Sequence, residues 1–271
     1  MWSLLIALSA PTHAQDDEEF GFGDLDINLD DLDLGEADAP DSMNYSGGHT
    51  ERTEKLSPNA AVTVTHYGGA IRVRCIDQDH LSARVDFQLE GTHEGNLKAV
   101  GDGVRLQASG SEGWAKVTSI VPGKRSGVSS MDVPMTVSAP KDVRLTVSGR
   151  EGEISISGCV GTVKVSTSKG AANVTGTFSQ FDVRSGEGDV YVRLDEASDI
   201  TKASGATASR GKVELVMPLS VDVKLQATGA EVTVLHTVTG TNNPTNVSGS
   251  IGEGGPLVKL YGKEGVSVTS P

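Results

Sequence analysis

Between Leu145 and Val192 apolar side chains return every nine residues in pairs two apart: Leu145/Val147, Ile154/Ile156, Val163/Val165, Ala172/Val174, Phe181/Val183 and Val190/Val192. An i, i+2 pair places both side chains on one face of an extended strand, so the pattern predicts short strands buried on one side and turning at a fixed interval. A five-residue strand spans about 16 Å at roughly 3.3 Å per residue, which leaves about four residues to turn a corner. If two units make one coil, residues eighteen apart lie above one another. Leu145, Val163 and Phe181 then stack in one sheet and Ile154, Ala172 and Val190 in the opposite one. A three-sided coil would instead place Leu145 on Ala172.

The flanks carry the same signal less regularly. Val62/Val64, Ile71/Val73, Val104/Leu106/Ala108 and Val133/Met135/Val137 read as strands, and Leu81 to Leu89 alternates cleanly with polar residues. Gly91 to Gly95 reads as a turn, with Leu97/Ala99 resuming the strand pattern. The irregular strands from Val62 to Ala108 are candidates for an N-terminal cap, since exposed ends of stacked strands invite pairing with other chains. After Val192 come Val213/Leu215, Val223/Leu225, Val232/Val234, Leu257/Leu260 and Val266/Val268. Stretches Val121 to Asp132 and Thr237 to Gly255, rich in Gly and Ser, read as loops. Helical 3.6 spacing is absent, and 33 glycines disfavour helix, so no helix is expected. The predicted fold is all-β: a single-domain β-solenoid, or β-helix, over residues 58–270.

Charge separates the N-terminal part from this body. Residues 15–41 hold twelve of the 36 acidic residues and no Lys or Arg, leaving 24 acids against 23 bases in the rest. Such a segment cannot bury enough apolar surface to offset its ordering entropy, so residues 15–57 read as an acidic disordered tail and linker. Nucleic acid is a poor partner on this balance. Met1 to Ala14 combines an apolar run with a Thr-His-Ala ending, which reads as a secretory signal although a basic start is missing. No later run reaches the roughly 18 apolar residues needed to cross a bilayer, and no Cys follows the signal to take a lipid.

Candidate chemistry is sparse. Cys75 and Cys159 form an even count in a chain read as exported, which permits one disulfide; two small buried hydrophobes is the other reading. The nine-residue period is shared with calcium-binding β-rolls, but only Gly186-Glu-Gly188-Asp189 approaches their motif, and the turns at Gly161 and Gly170 lack a carboxylate. The histidines are scattered singly, so no metal or other cofactor is expected. Under two-unit stacking the outward residues form ladders of their own. Thr146, Lys164 and Asp182 run beside Ser148, Ser166 and Arg184 on one face; Ser155, Asn173 and Tyr191 run beside Ser157, Thr175 and Arg193 on the other. Solvated cross-strand ladders account for both. A polysaccharide-acting enzyme would require Asp182, Glu187, Asp189, Lys164 and Arg184 to converge in a groove. In the acidic segment Phe20, Phe22, Leu25, Ile27, Leu29, Leu32 and Leu34 alternate with polar residues, so an extended strand there would be apolar on one side and anionic on the other. It is a candidate docking segment for a sheet edge or a basic partner.

The phrase G-x-[VI]-x-[VI] recurs as Gly69-Ala-Ile71-Arg-Val73, Gly152-Glu-Ile154-Ser-Ile156, Gly161-Thr-Val163-Lys-Val165 and Gly188-Asp-Val190-Tyr-Val192, with Gly211-Lys-Val213-Glu-Leu215 close to it. These phrases, and the ending Gly254-Gly-Pro-Leu-Val-Lys-Leu260 then Gly265-Val-Ser-Val268, resemble the "putative adhesin" family of bacterial β-strand-repeat domains of unknown function, over about residues 55 to 269. The resemblance implies a β-solenoid exported to the envelope, periplasmic or at the cell surface. It implies no catalytic residues. The expected function is non-enzymatic: an adhesin or scaffold whose partner is an envelope protein or glycan, or a structural protein with no ligand.

Overall fold

A computed structural model describes residues 42–271; the expected signal and the candidate docking segment from Phe20 to Leu34 lie outside the described residues. The chain opens with β1 (Met43–Lys55), β2 (Ala60–His66), β3 (Ile71–Ile76) and β4 (His80–Gly91). A short helix, α1 (Glu94–Gly101), leads to β5 (Arg105–Ser111), β6 (Trp114–Ile120), β7 (Val128–Asp132), β8 (Met135–Pro140) and β9 (Asp142–Gly149). The nine-residue units follow as the bent strands β10 (Ile154–Lys169) and β11 (Ala172–Glu187), each holding two of them, and as β12 (Val190–Leu194). Then come β13 (Ser204–Ala208), β14 (Lys212–Val216), β15 (Val223–Gly229) and β16 (Val232–Val234). The last strands are β17 (Thr239–Asn243), β18 (Asn246–Ile251), β19 (Leu257–Gly262) and β20 (Gly265–Thr269).

These strands make two ladders, joined because β10 and β11 run through both. The first ladder runs β5, β6, β2, β9, the second half of β10, the second half of β11, β13, β19, β15, β18, β17. The second runs β1, β4, β8, β3, the first half of β10, the first half of β11, β12, β14, β20, β16, with β7 beside the end of β4. Pairing is parallel through the middle of both ladders and antiparallel at both ends of the first and at the β1 end of the second, whose β16 end stays parallel. Leu145 pairs with Val163 and Val163 with Phe181, while Ile154 pairs with Ala172 and Ala172 with Val190. The stacking interval is therefore eighteen residues, as a two-unit coil requires, and Leu145 does not lie on Ala172.

Alternation along each strand sends aliphatic residues into one shared core. Val62, Val64, Leu145, Val147, Val163, Phe181, Val183, Leu225 and Leu260 from the first ladder, with Ile71, Val73, Ile154, Ile156, Val174, Val192 and Leu215 from the second, are all buried in it. Each such side chain contributes about 1.5 to 3 kcal/mol of transfer free energy relative to exposure. The corners depend on backbone contact. A Cβ at Gly170 would stand 2.2 Å from the Gly152 carbonyl oxygen, and one at Gly188 would stand 2.6 Å from that of Gly170. Each of these coils thus rests on the glycine backbone of the coil before it, which accounts for glycine at both corners. At these two positions φ is also positive, +118° and +135°, a region that favours glycine.

Cys75, at the end of β3, and Cys159, just past the corner Gly158 in β10, are both buried and joined as a disulfide with Cα atoms 4.8 Å apart. The bridge ties together adjacent parallel strands that are 84 residues apart in sequence.

The structure departs from the expectations in several places. Residues 43–55, expected within a linker, form β1, which pairs with β4 from Met43 to Lys55 because β4 would otherwise expose an unpaired edge. The helix α1 occupies a region expected as turn and strand. Its eight residues are too few for a helical period to show, but Leu97 and Val100 lie three apart and are buried, and Lys98 pairs with Asp102 at 3.2 Å. Within the two expected loops, Val128–Asp132 is β7, and β17 and β18 form an antiparallel pair. The strands expected as an N-terminal cap divide: β5 lies at the end of one ladder and β4 next to the end of the other, but β2 sits between β6 and β9, and β3 between β8 and β10.

Candidate functional site

The outer face of the first ladder is built from the middle residue of each aliphatic pair. Because i and i+2 point inward, residue i+1 points to solvent, and parallel register lines these residues up across strands. One row runs Lys116, Thr63, Thr146, Lys164, Asp182, Gly205, Lys259, Gln226 and Ser248. The next runs Thr118, Thr65, Ser148, Ser166, Arg184, Thr207, Tyr261, Thr228 and Asn246. A third begins Trp114, Ala61, Arg144, Thr162 and Gln180. Arg105 and Lys224 extend the face at either end.

The charge on this face is one-sided. Against its Lys and Arg stand Asp142, at the strand start, and Asp182, which Arg184 clamps through hydrogen bonds of 2.9 and 3.0 Å. Ser166 donates to the Ser148 hydroxyl at 3.2 Å, and Gln180 donates to the Ala203 carbonyl at 3.1 Å. Two large aromatics stand among these polar groups, Trp114 at 47% exposure and Tyr261 at 45%. The relief is shallow. A depression of about 210 Å³ is lined by Thr146, Lys164, Ser166, Asp182 and Arg184, and another of about 320 Å³ by Thr207, Gln226, Thr228, Lys259 and Tyr261. Gly205, with no side chain, lies on the row between Asp182 and Lys259.

The outer face of the second ladder mixes signs. Arg72 and Arg74 share it with Asp86, Asp132 and Glu214, and Arg84 is paired with Asp86 at 2.7 Å. Ser155 donates to Glu153 at 2.6 Å and Asn173 donates to it at 2.7 Å, and these bonds hold the Glu153 carboxyl below its ordinary value.

Of the residues that an enzyme would need together, Lys164, Asp182 and Arg184 line one depression. Glu187 instead pairs with Arg210 at 2.5 Å, and Asp189 accepts from the Lys212 backbone N–H at 2.8 Å on the other ladder. Among the described residues no three His, Cys, Asp or Glu gather in a form that could hold a metal ion.

One polar site escaped the sequence. His66, read as a scattered histidine, is fully buried at the end of β2. Its Nε2 lies 2.6 Å from the Val133 carbonyl oxygen, which fits donation from Nε2–H, and its Nδ1 meets the Ser119 hydroxyl. Burial holds its pKa below the ordinary value, opposed by the Val133 bond. The inward position of His66 in the alternation Val62, Val64, His66 was the available signal.

The chain matches the model of a family described as Toastrack DUF4097 over residues 78–265, and no curated protein matches it. A crystal structure from Clostridium sporogenes, described as a putative cell adhesion protein, is 12% identical over 83% of this chain and 100% of its own, with a TM-score of 0.45. One from Bacteroides fragilis, described as a putative adhesin, is 13% identical over 85% of this chain and 98% of its own, with a TM-score of 0.31. One from Parabacteroides distasonis, described as a putative lipid binding protein, is 11% identical over 82% and 94%, with a TM-score of 0.24.

Proposed function

The chain belongs to the Toastrack DUF4097 family, and on that premise we propose that it is an exported, non-enzymatic envelope protein, an adhesin or scaffold that works by presenting a rigid sheet face. The observation that carries this reading is the outer face of the first ladder, where hydroxyl, amide and cationic side chains stand in register across eight adjacent strands from β6 to β15. Such a face offers many weak polar contacts over an extended area, which suits docking to a large partner. Its depressions are open and shallow, unlike the concave, largely apolar sites that enclose small molecules. The buried disulfide and the signal-like start support an oxidising compartment. Fractionation of a tagged full-length chain, with trypsin added to intact cells, tests the reading. Recovery from periplasm or cell surface is expected; recovery from the cytoplasm with an uncleaved N-terminus overturns it.

A further inference from the structure

We propose that the outer face of the first ladder binds a linear acidic polysaccharide laid across the strands. The inference rests on the reading of the protein as a docking module and specifies its ligand. Lys116, Arg144, Lys164, Arg184, Lys259 and Lys224 stand on strands β6, β9, β10, β11, β19 and β15 of a continuous ladder. From β6 to β15 the ladder takes seven steps, about 34 Å at roughly 4.8 Å per strand. Neighbouring cations along it are therefore one or two steps apart, about 5 to 10 Å. A polymer with a carboxylate on every sugar or every second sugar presents anions at intervals of that order along a single line.

The other groups on the face match sugars rather than bare charge. Thr63, Thr146 and Gln226 lie in the same row as Lys116, Lys164 and Lys259 and supply donors and acceptors for hydroxyl groups. Trp114 and Tyr261, each nearly half exposed, stand on β6 and β19, towards opposite ends of the line. An aromatic face is electron-rich and receives the C–H side of a sugar ring, so the two rings can seat residues of the polymer at both ends. Apart from Asp142 at a strand start and Asp182, which Arg184 clamps, the acids of the body lie off these rows. Glu112, Glu151, Asp195, Glu196, Glu231, Glu253 and Glu264 are all in turns between strands. An excess of cations over acids is what a face meant for a polyanion requires.

The test is affinity electrophoresis of the full chain through gels containing polygalacturonate, with dextran as the neutral control. Because the whole chain carries a net charge of −13, retention by a polyanion reports a local face and not net charge. Retardation by polygalacturonate, absent with dextran and falling steeply with added salt, is the expected result. The triple variant Lys116→Ser, Lys164→Ser, Lys259→Ser should weaken binding about tenfold or more, as removal of the three cations that share the central row implies. Tyr261→Ala should weaken it several-fold while leaving the salt slope unchanged. A matched triple on the second ladder, Arg72→Ser, Arg74→Ser, Arg193→Ser, should bind as the parent does, and unfolding midpoints of all variants should stay close to the parent's. No retardation overturns the proposal, as does equal loss in the second-ladder triple. Tighter binding to single-stranded DNA or to phosphatidylglycerol vesicles overturns the choice of polysaccharide. A chain that fractionates with the envelope yet fails to bind refutes this inference alone, whereas one that binds but stays in the cytoplasm refutes the envelope reading alone.

Discussion

Reducing the Cys75–Cys159 bridge should destabilise the body by an amount set by chain entropy. The bridge joins β3 to β10 across 84 residues, and that segment contains β4, α1 and the strands from β5 to β9. Closing a loop of that length removes about 15 cal/mol/K from the unfolded ensemble, or about 4.5 kcal/mol at 25 °C in the loop-closure treatment. Residual structure in the unfolded chain lowers the figure, so a loss of about 2 to 4.5 kcal/mol is expected. The native contacts should survive reduction, because β3 remains paired with β8 on one side and β10 on the other. For a body of this size the loss corresponds to a fall in Tm of roughly 5 to 15 °C. Urea unfolding followed by circular dichroism, with and without reductant, measures it, and alkylation with mass spectrometry confirms the bond and its rupture. The double variant Cys75→Ala, Cys159→Ala should reproduce the loss and become insensitive to reductant. A shift under about 1 kcal/mol on full reduction would refute the entropic argument.

Three other outcomes follow from the packing. His66 has a folded pKa below its unfolded value near 6.5, so the unfolded state binds the proton more readily; its contribution is present above pH 6.5 and is lost as pH falls through the folded pKa. Urea midpoints measured from pH 8 to pH 5 should fall on the acid side, and His66→Gln should flatten that fall; an unchanged profile would count against it. Gly170→Ala, whose Cβ would stand 2.2 Å from the Gly152 carbonyl oxygen, should cost about 2 to 4 kcal/mol, whereas Gly95→Ala in α1, with open space around it, should stabilise by about 0.5 to 1 kcal/mol. Thermal melts of the two variants should move in opposite directions. Removing residues 257–271 deletes β19 and β20, leaving β13 and β15 each with one open edge in one ladder and, in the other, β14 with an open edge and β16 without its strand partner, so the truncated chain should aggregate; a monomeric, cooperatively melting product would contradict this topology.

Much of the core was legible one residue at a time. A strand has a side-chain period of two and a coil of two units has a period of eighteen, so Leu145, Val163 and Phe181 could be stacked without coordinates. The glycines of the recurring phrase could likewise be read as corners. What the sequence does not carry is the order of strands within a ladder, because every aliphatic pair offers the same pairing edge to every other. The insertion of β2 and β3 among later strands, and of β19 between β13 and β15, is decided by the whole packed body. The docking face depends on that order. Lys116, Arg144, Lys164, Arg184, Lys224 and Lys259 each occupy an outward position beside inward aliphatic residues in the sequence, yet nothing local distinguishes their ladder from the one that holds Glu214 and Arg72. Periodicity determines which side chains face outward; only the tertiary register determines which of them stand side by side, because charge builds into a surface through contacts between strands far apart in the chain.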